Sequence, residues 1–161
     1  MSQQTDHGVV ARSEARLLGD QLRMAHKKIV FTNGCFDILH RGHVEYLTAA
    51  KALGDVLIVG CNADASVKRL KGHDRPVTQE SDRAFLLSCL RAVDYVIIFS
   101  EDTPFELITE LQPDVLVKGG DWPIEKIIGG DVVRAKGGEV RTIPFVAMYS
   151  TSSILDRIRS L

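Results

Sequence analysis

His40 and His43 stand three residues apart with Gly42 between them, inside the run Gly34-Cys35-Phe36-Asp37-Ile38-Leu39-His40-Arg41-Gly42-His43. Two imidazoles at that spacing can converge on one ligand at a helix N-terminus, where free N–H groups and the helix dipole favour an anion. Gly34 lets backbone approach a phosphate closely, and Gly42 keeps space beside the histidines. A single histidine in a turn is ordinarily a satisfied polar residue. A pair between a strand and the helix that follows it is a stronger signal for anion chemistry. Further along, Lys68, Arg69, Lys71 and Arg75 crowd a polar stretch, Lys118 precedes Gly119-Gly120-Asp121, and Ser150-Thr151-Ser152-Ser153 precedes a last apolar segment.

These residues need a scaffold, and the apolar pattern supplies one. Ser13 to Met24 has helical spacing, and Ile29-Val30-Phe31-Thr32 is a β-prone run ending at Asn33-Gly34. A helix is expected from His43, with Gly54 as its left-handed stop. Val56–Val59 predicts a second buried strand. Residues 62–80 lack clear periodicity and read as a surface loop long enough to be functional. Ser81 caps a helix through Phe85 and Leu90, Tyr95–Phe99 is a third strand, and Thr103-Pro104 starts a helix with Pro at its first position. Asp114–Val117 is a fourth strand, followed by a short helix at Val132–Ala135, a strand at Glu139–Ile143 and a helix from about Thr151. Strands that alternate with helices and run unbroken in apolar residues predict a parallel sheet covered on both faces. The expected fold is a single doubly wound, Rossmann-like α/β domain with a five-stranded sheet. Residues 1–27 form an N-terminal tail, loose over 1–10, and a helix; residues 28–161 form the functional domain. Ligands of such sheets bind beyond the carboxyl ends of the strands. Those ends are Asn33–Phe36, Gly60–Asp64, Lys118–Asp121 and the stretch before Ser150.

Composition narrows the function classes. With 161 residues the chain suits one domain, and 20 Lys+Arg against 21 Asp+Glu give a net charge of −1. A sequence pI near 6.5 lacks the footprint of a general nucleic-acid binder, while leaving room for local basic patches. Cys35, Cys61 and Cys89 form no close pair and read as free thiols of a reducing compartment, Cys61 and Cys89 as small core residues. No His/Cys spacing suits a structural zinc site. No apolar run approaches the roughly 18 residues of a membrane span, and the N-terminus does not read as a signal peptide. A cytoplasmic protein is expected.

Gly34–His43 resembles the GxFDxxHxGH signature of the nucleotidyltransferase α/β superfamily, which includes cytidylyltransferases and heptose-phosphate adenylyltransferases. The similarity runs from Lys28 to Ile158: Asn62-Ala63-Asp64, Lys68 to Pro76, Asp82-Arg83, Lys118-Gly119-Gly120-Asp121 and Ser150–Ile154 follow in the expected order. Arg69-Leu70-Lys71-Gly72 and Arg75-Pro76-Val77 look most like the adenylyltransferases of ADP-heptose synthesis. That family often fuses this domain to a sugar kinase, for which this chain has no room, so it resembles the stand-alone form. Cytidylyltransferases usually carry Arg-Thr-Glu-Gly before the closing serine segment. Here Phe145-Val146-Ala147-Met148 and Tyr149 stand instead, which favours ATP over CTP.

The resemblance implies nucleotidyl transfer. A substrate phosphate attacks the α-phosphorus of a triphosphate and pyrophosphate leaves, so catalysis is positioning and charge stabilisation, with no protein nucleophile or general base. On this reading His40, His43 and Lys71 are catalytic. Thr32, Asn33, Gly34, Cys35, Phe36, His40, His43, Gly120, Asp121, Ser150, Thr151 and Ser152 bind nucleotide, with Asp121 on the ribose and the serines on the β/γ-phosphates. Asp37, Asn62, Arg69, Lys71, Arg83 and Lys118 bind the second substrate: Asp37 meets sugar hydroxyls or orients a neighbour, Arg69 and Lys71 meet the sugar phosphate or the leaving pyrophosphate, and Arg83 either faces the site from its helix or is an ordinary surface arginine. Lys118 either reaches a phosphate or pairs with an acid, and Trp122 and Phe36 are candidates for packing on ligand. Magnesium arrives with ATP. The expected partners are ATP and a sugar 1-phosphate, with neither nucleic acid nor membrane, and the expected assembly is a homodimer. A CTP-dependent transferase of glycerol 3-phosphate or a similar polyol phosphate is the rival enzyme. A nucleotide-binding regulatory module is the non-enzymatic alternative.

Overall fold

The computed structural model describes residues 8–120, 122–145 and 149–161. Six parallel strands form one sheet: β1 (Val9–Val10), β2 (Ile29–Gly34), β3 (Val56–Asn62), β4 (Tyr95–Phe99), β5 (Val115–Gly119) and β6 (Glu139–Ile143). Their order is β1-β4-β3-β2-β5-β6. The expected class is observed, with one strand more than the five predicted. The extra strand lies in the segment expected to be a loose tail: Val9 and Val10 pair with Val96 and Ile97 at the β4 edge. Two residues cannot show periodicity, so only the waiting sheet edge reveals this strand.

The helices are α1 (Ala15–Met24), α2 (Arg41–Lys51), α3 (Asp64–Lys71), α4 (Glu80–Ser88), α5 (Phe105–Leu111), α6 (Gly130–Ala135) and α7 (Thr151–Arg159). Alternate residues of each strand enter opposite cores. Ile29, Phe31, Ile58, Ile97 and Leu116 pack with Leu18 of α1 and Leu107, Ile108 and Leu111 of α5. Val30, Leu57, Val59, Val96 and Val117 pack with Leu47 and Ala50 of α2 and Ala84 and Leu87 of α4. Burial on both faces is why the strands read as continuous apolar runs.

Several local expectations change. The polar stretch 62–80 is not all loop, since α3 occupies its first half with only Ser66 and Val67 buried. So narrow a buried face leaves almost no amphipathic signal. Gly54 is not a left-handed stop; a Cβ there would lie 2.7 Å from the Lys28 carbonyl oxygen, so close approach explains the glycine. Ser81 lies inside α4, whose N-cap is Gln79, and Pro104 is the N-cap of α5 rather than its first residue. Cys61 is buried as expected, but Cys89 is exposed.

The two ends of the sheet differ in chemistry. At the N-terminal ends, carboxylates close the ladder: Ile29 N–H donates to Asp114 at 2.7 Å, Leu57 N–H to Asp94 at 2.7 Å and Lys28 N–H to Asp55 at 2.8 Å. At the carboxyl ends, the chain moves outward from β2 to β3 and β4, then returns to β5 on the other side of β2. That reversal opens a crevice above β2 and β5, where doubly wound sheets bind ligands. No helix among the described residues is long and apolar enough to cross a membrane.

Candidate active site

The crevice holds a cleft of about 520 Å³ that joins a smaller arm of about 250 Å³ through shared walls at His43, Tyr46, Lys71, Arg75, Phe145 and Thr151. Asn33, Gly34 and Cys35 line the main cleft from the end of β2, and Lys118 and Gly119 line it from β5. His40, Gly42 and Ser150–Ser152 line the arm. The site therefore spans from the sheet crevice to the N-termini of α2 and α7.

His40 is the N-cap of α2 and His43 lies in its first turn, which stacks the rings with centroids 3.9 Å apart and planes 19° apart. Gly42 makes this possible, because a Cβ there would sit 3.0 Å from His40 Cε1 and 3.0 Å from Tyr149 Cβ. Phe36 supports the pair from the side, edge-on to His43 at 5.2 Å. Its backbone is left-handed, with φ of 48°, and a Cβ on Gly34 would come within 2.9 Å of its ring. The buried Nδ1 atoms of both histidines have no hydrogen-bond partner. Burial lowers the His43 pKa to about 4, with smaller contributions from His40 and Lys71, and burial also lowers that of His40. Both rings are therefore neutral near pH 7 without ligand, and a bound anion would draw them towards protonation.

Asp37 and Arg75 form the other rigid element. The Asp37 side chain is only 1% exposed; it accepts from Arg75 Nε at 2.6 Å, Val77 N–H at 2.8 Å and Thr78 N–H at 3.0 Å. Burial opposes its charge, but these backbone and side-chain donors outweigh it and hold its pKa below the ordinary value. Asp37 thus fastens the segment after α3 onto the histidine loop, and Arg75 lines both parts of the cleft. Arg75 was quoted in the sequence motif but not assigned; its position four residues after Lys71 was the available signal. Tyr46, also unassigned, shares a helix face with His43, and its hydroxyl bonds Thr32 at 2.6 Å.

The remaining expected residues separate into groups. Asn33, Gly34, Cys35, Phe36, Asp37, Asn62, Lys71 and Lys118 all line the main cleft. Thr32 is fully buried beneath it. Lys118 is half-buried, and burial lowers its pKa. It makes no ion pair with any described residue. Arg83 is 1% exposed and donates to the Thr78 carbonyl at 3.0 Å, to Asp64 at 2.7 Å and to the Cys35 carbonyl, so it braces the cleft from below. Arg69 does not line the cleft; it bonds Asp102, which does, and the Ser100 carbonyl at 2.7 Å each. Ser150 caps α7, its hydroxyl accepting from Ser153 N–H at 3.0 Å. Gly120 has φ of 92°, and the Phe145 ring lies across Gly119 and Gly120. Asp121 and Val146–Met148 lie outside the described residues.

A family model described as cytidylyltransferase-like matches residues 31–154. The bifunctional protein HldE of a Nitratiruptor species is 58% identical over 147 residues, covering 91% of this chain and 31% of that protein. HldE of Helicobacter pylori (strain Shi470) is 57% identical over 140 residues, covering 87% and 29%. The chain thus spans less than a third of these relatives. Among solved structures, a lipopolysaccharide core biosynthesis protein from Thermoplasma volcanium GSS1 superposes with a TM-score of 0.61 at 32% identity, over 74% of this chain and 97% of that one. A pantoate-beta-alanine ligase from Francisella tularensis shares the fold at 13% identity, with a TM-score of 0.62 over 96% of this chain and 78% of that one.

Proposed function

The chain belongs to the cytidylyltransferase-like family, and from that premise we propose that it transfers AMP from ATP to a heptose 1-phosphate. The products are ADP-heptose and pyrophosphate, the former a precursor for lipopolysaccharide or surface polysaccharide. The observation that carries this reading is the stacked histidine pair with two unpartnered buried nitrogens, in a cleft also lined by Lys71, Arg75 and Ser150–Ser152.

In the reaction an oxygen of the sugar phosphate attacks the α-phosphorus as its bond to the bridging oxygen breaks, and pyrophosphate carries away the electron pair. The attacking phosphate is already anionic, so no group must remove a proton. His40 and His43 hydrogen-bond the α/β-phosphate oxygens as charge builds on them. Lys71 and Arg75 offset the charge of the leaving pyrophosphate, whose end rests on the α7 N-terminus at Ser150, Thr151 and Ser152. Lys118 meets the acceptor phosphate. The resemblance assigns the ribose to Asp121. Among the described residues no three His, Cys, Asp or Glu side chains group to hold a metal, and Asp37 is committed to Arg75. Magnesium would enter on the triphosphate, where it would neutralise phosphate charge. The same reading has a cytoplasmic homodimer acting on small molecules.

The deciding experiment is pyrophosphate release from four nucleoside triphosphates across a panel of sugar and polyol phosphates. ATP with a heptose 1-phosphate is expected to give the highest kcat/KM. A preference for CTP with glycerol 3-phosphate would replace this reading with a cytidylyltransferase, and nucleotide binding without turnover would favour a regulatory module.

A further inference from the structure

A side pocket of about 130 Å³ opens from the main cleft and is not used by the nucleotide assignments above, apart from Asn33 at its mouth. It shares Asn33, Pro104, Lys118, Trp122 and Ile128 with the cleft, while Leu116, Ile127 and Lys126 line the side pocket alone. Leu116 and Ile127 are buried and make a dry floor, whereas Trp122 and Ile128 are 54% and 47% exposed and make an open lip. Half-exposed large apolar side chains on the rim of a cleft are characteristic of ligand contact. Lys118 stands at the junction as a half-buried ammonium that no described residue pairs, and no acid is among the described lining residues of the side pocket. The pocket therefore suits an amphipathic ligand: anionic where it meets the cleft, with an apolar face for an indole and polar groups for Lys126 and Asn33. A sugar 1-phosphate has that distribution, since its ring carries a C–H face and its edge carries hydroxyls. A purine base would supply a flat face but no anion at the junction.

We propose that this side pocket is the acceptor-sugar subsite, in which Trp122 lies against the sugar ring and Lys126 hydrogen-bonds hydroxyls on the part of the sugar beyond it. Lys118 holds the 1-phosphate at the mouth, facing the cleft where the α-phosphorus is attacked. With the ring at the Trp122 lip, the exocyclic polyol arm reaches in towards Lys126. The inference rests on the transferase reading above, and its test can be separated from it.

Trp122 is the single tryptophan of the chain, so tryptophan emission, excited where tyrosine does not absorb, reports this position alone. With the intact protein, a heptose 1-phosphate added to a complex with magnesium and a non-hydrolysable ATP analogue is expected to quench or blue-shift the emission. The analogue alone is expected to change it little. In turnover assays Trp122→Ala should raise the KM for the sugar phosphate about tenfold and leave the KM for ATP within about twofold, and Trp122→Phe should recover most of the loss. Lys126→Met should narrow the preference for a heptose over the corresponding hexose 1-phosphate. An emission change given wholly by the nucleotide, or no change with either ligand, would overturn the assignment. So would a Trp122→Ala variant whose only defect is in the KM for ATP. If the wild type prefers another acceptor, the adenylyltransferase reading fails by that result; the same variants assayed with the preferred acceptor then decide the subsite independently.

Discussion

His40 and His43 stack at 3.9 Å, and both leave a buried Nδ1 without a hydrogen-bond partner. A buried polar atom without a partner is costly, by roughly 1–3 kcal/mol, and the fold accepts two of them side by side. The cost is offset when an anion enters and each nitrogen finds an acceptor. Gly42 and Phe36 fix the geometry beforehand, so little reorganisation is needed as charge develops.

His43→Ala is therefore expected to lower kcat by about 10²–10³, the typical cost of one lost transition-state donor. Thermal stability should change little, because the ring is only partly buried and makes no hydrogen bond at Nδ1. Steady-state kinetics beside a thermal melt would check this. Near-wild-type turnover in a folded variant would remove His43 from the chemistry.

Binding of the triphosphate should take up protons between about pH 5 and 7. His43 titrates at about 4 in the free protein, and a neighbouring anion raises an imidazole pKa. Calorimetric titrations in buffers of different ionisation enthalpy measure the uptake, and buffer-independent heats would contradict it. The sign for stability follows from the same shift. The unfolded chain, with a histidine pKa near 6.5, protonates first as pH falls. The contribution of neutral His43 is thus fully present above pH 6.5 and is lost as pH drops towards about 4, and His43→Gln should flatten that part of the profile.

Asp37→Ala should cost about 3–5 kcal/mol, the usual penalty for breaking a buried ion pair, because it strands Arg75 and releases the Val77 and Thr78 N–H groups. Chemical denaturation measures the loss, and amide hydrogen exchange should rise at Val77 and Thr78. A variant as stable as the wild type would show that the segment after α3 is held by other contacts.

The sheet and the start of α2 were legible because each depends on a local pattern. Apolar runs marked β2 to β5, and the glycine-histidine spacing marked the start of α2. What escaped depends on contacts between distant residues. β1 has two residues and exists through pairing with Val96 and Ile97. The motif leaves Asp37 to bind sugar hydroxyls or to orient a neighbour, and only the tertiary structure shows its oxygens taken by Arg75, Val77 and Thr78, some forty positions away in sequence. Arg83 was assigned by order along the chain, and only the tertiary structure shows its guanidinium spent on Thr78, Cys35 and Asp64.

The sharpest separation between sequence order and geometry concerns Arg69 and Lys71. Both belong to one basic run, and both were expected to serve substrate phosphate. α3 turns them apart: residues two positions apart on a helix do not share a face. Lys71 lines both parts of the cleft, while Arg69 lines neither and is tied to Asp102 on the cleft wall and to the Ser100 carbonyl. The Arg69–Asp102 pair is exposed, at 50% and 76% of the side chains, and such pairs contribute between 0 and about 1 kcal/mol. Lys71→Ala is therefore expected to reduce kcat by about 10²-fold or more, as for other phosphate-clamping charges. Arg69→Ala should change kcat less than about threefold, an effect confined to the loop at Ser100–Asp102. Measuring both variants at low and high salt sharpens the contrast, because screening should erase whatever the surface arginine contributes while leaving the Lys71 deficit in place. Equal losses in the two variants would mean that α3 rotates or unwinds during turnover to bring Arg69 into the cleft.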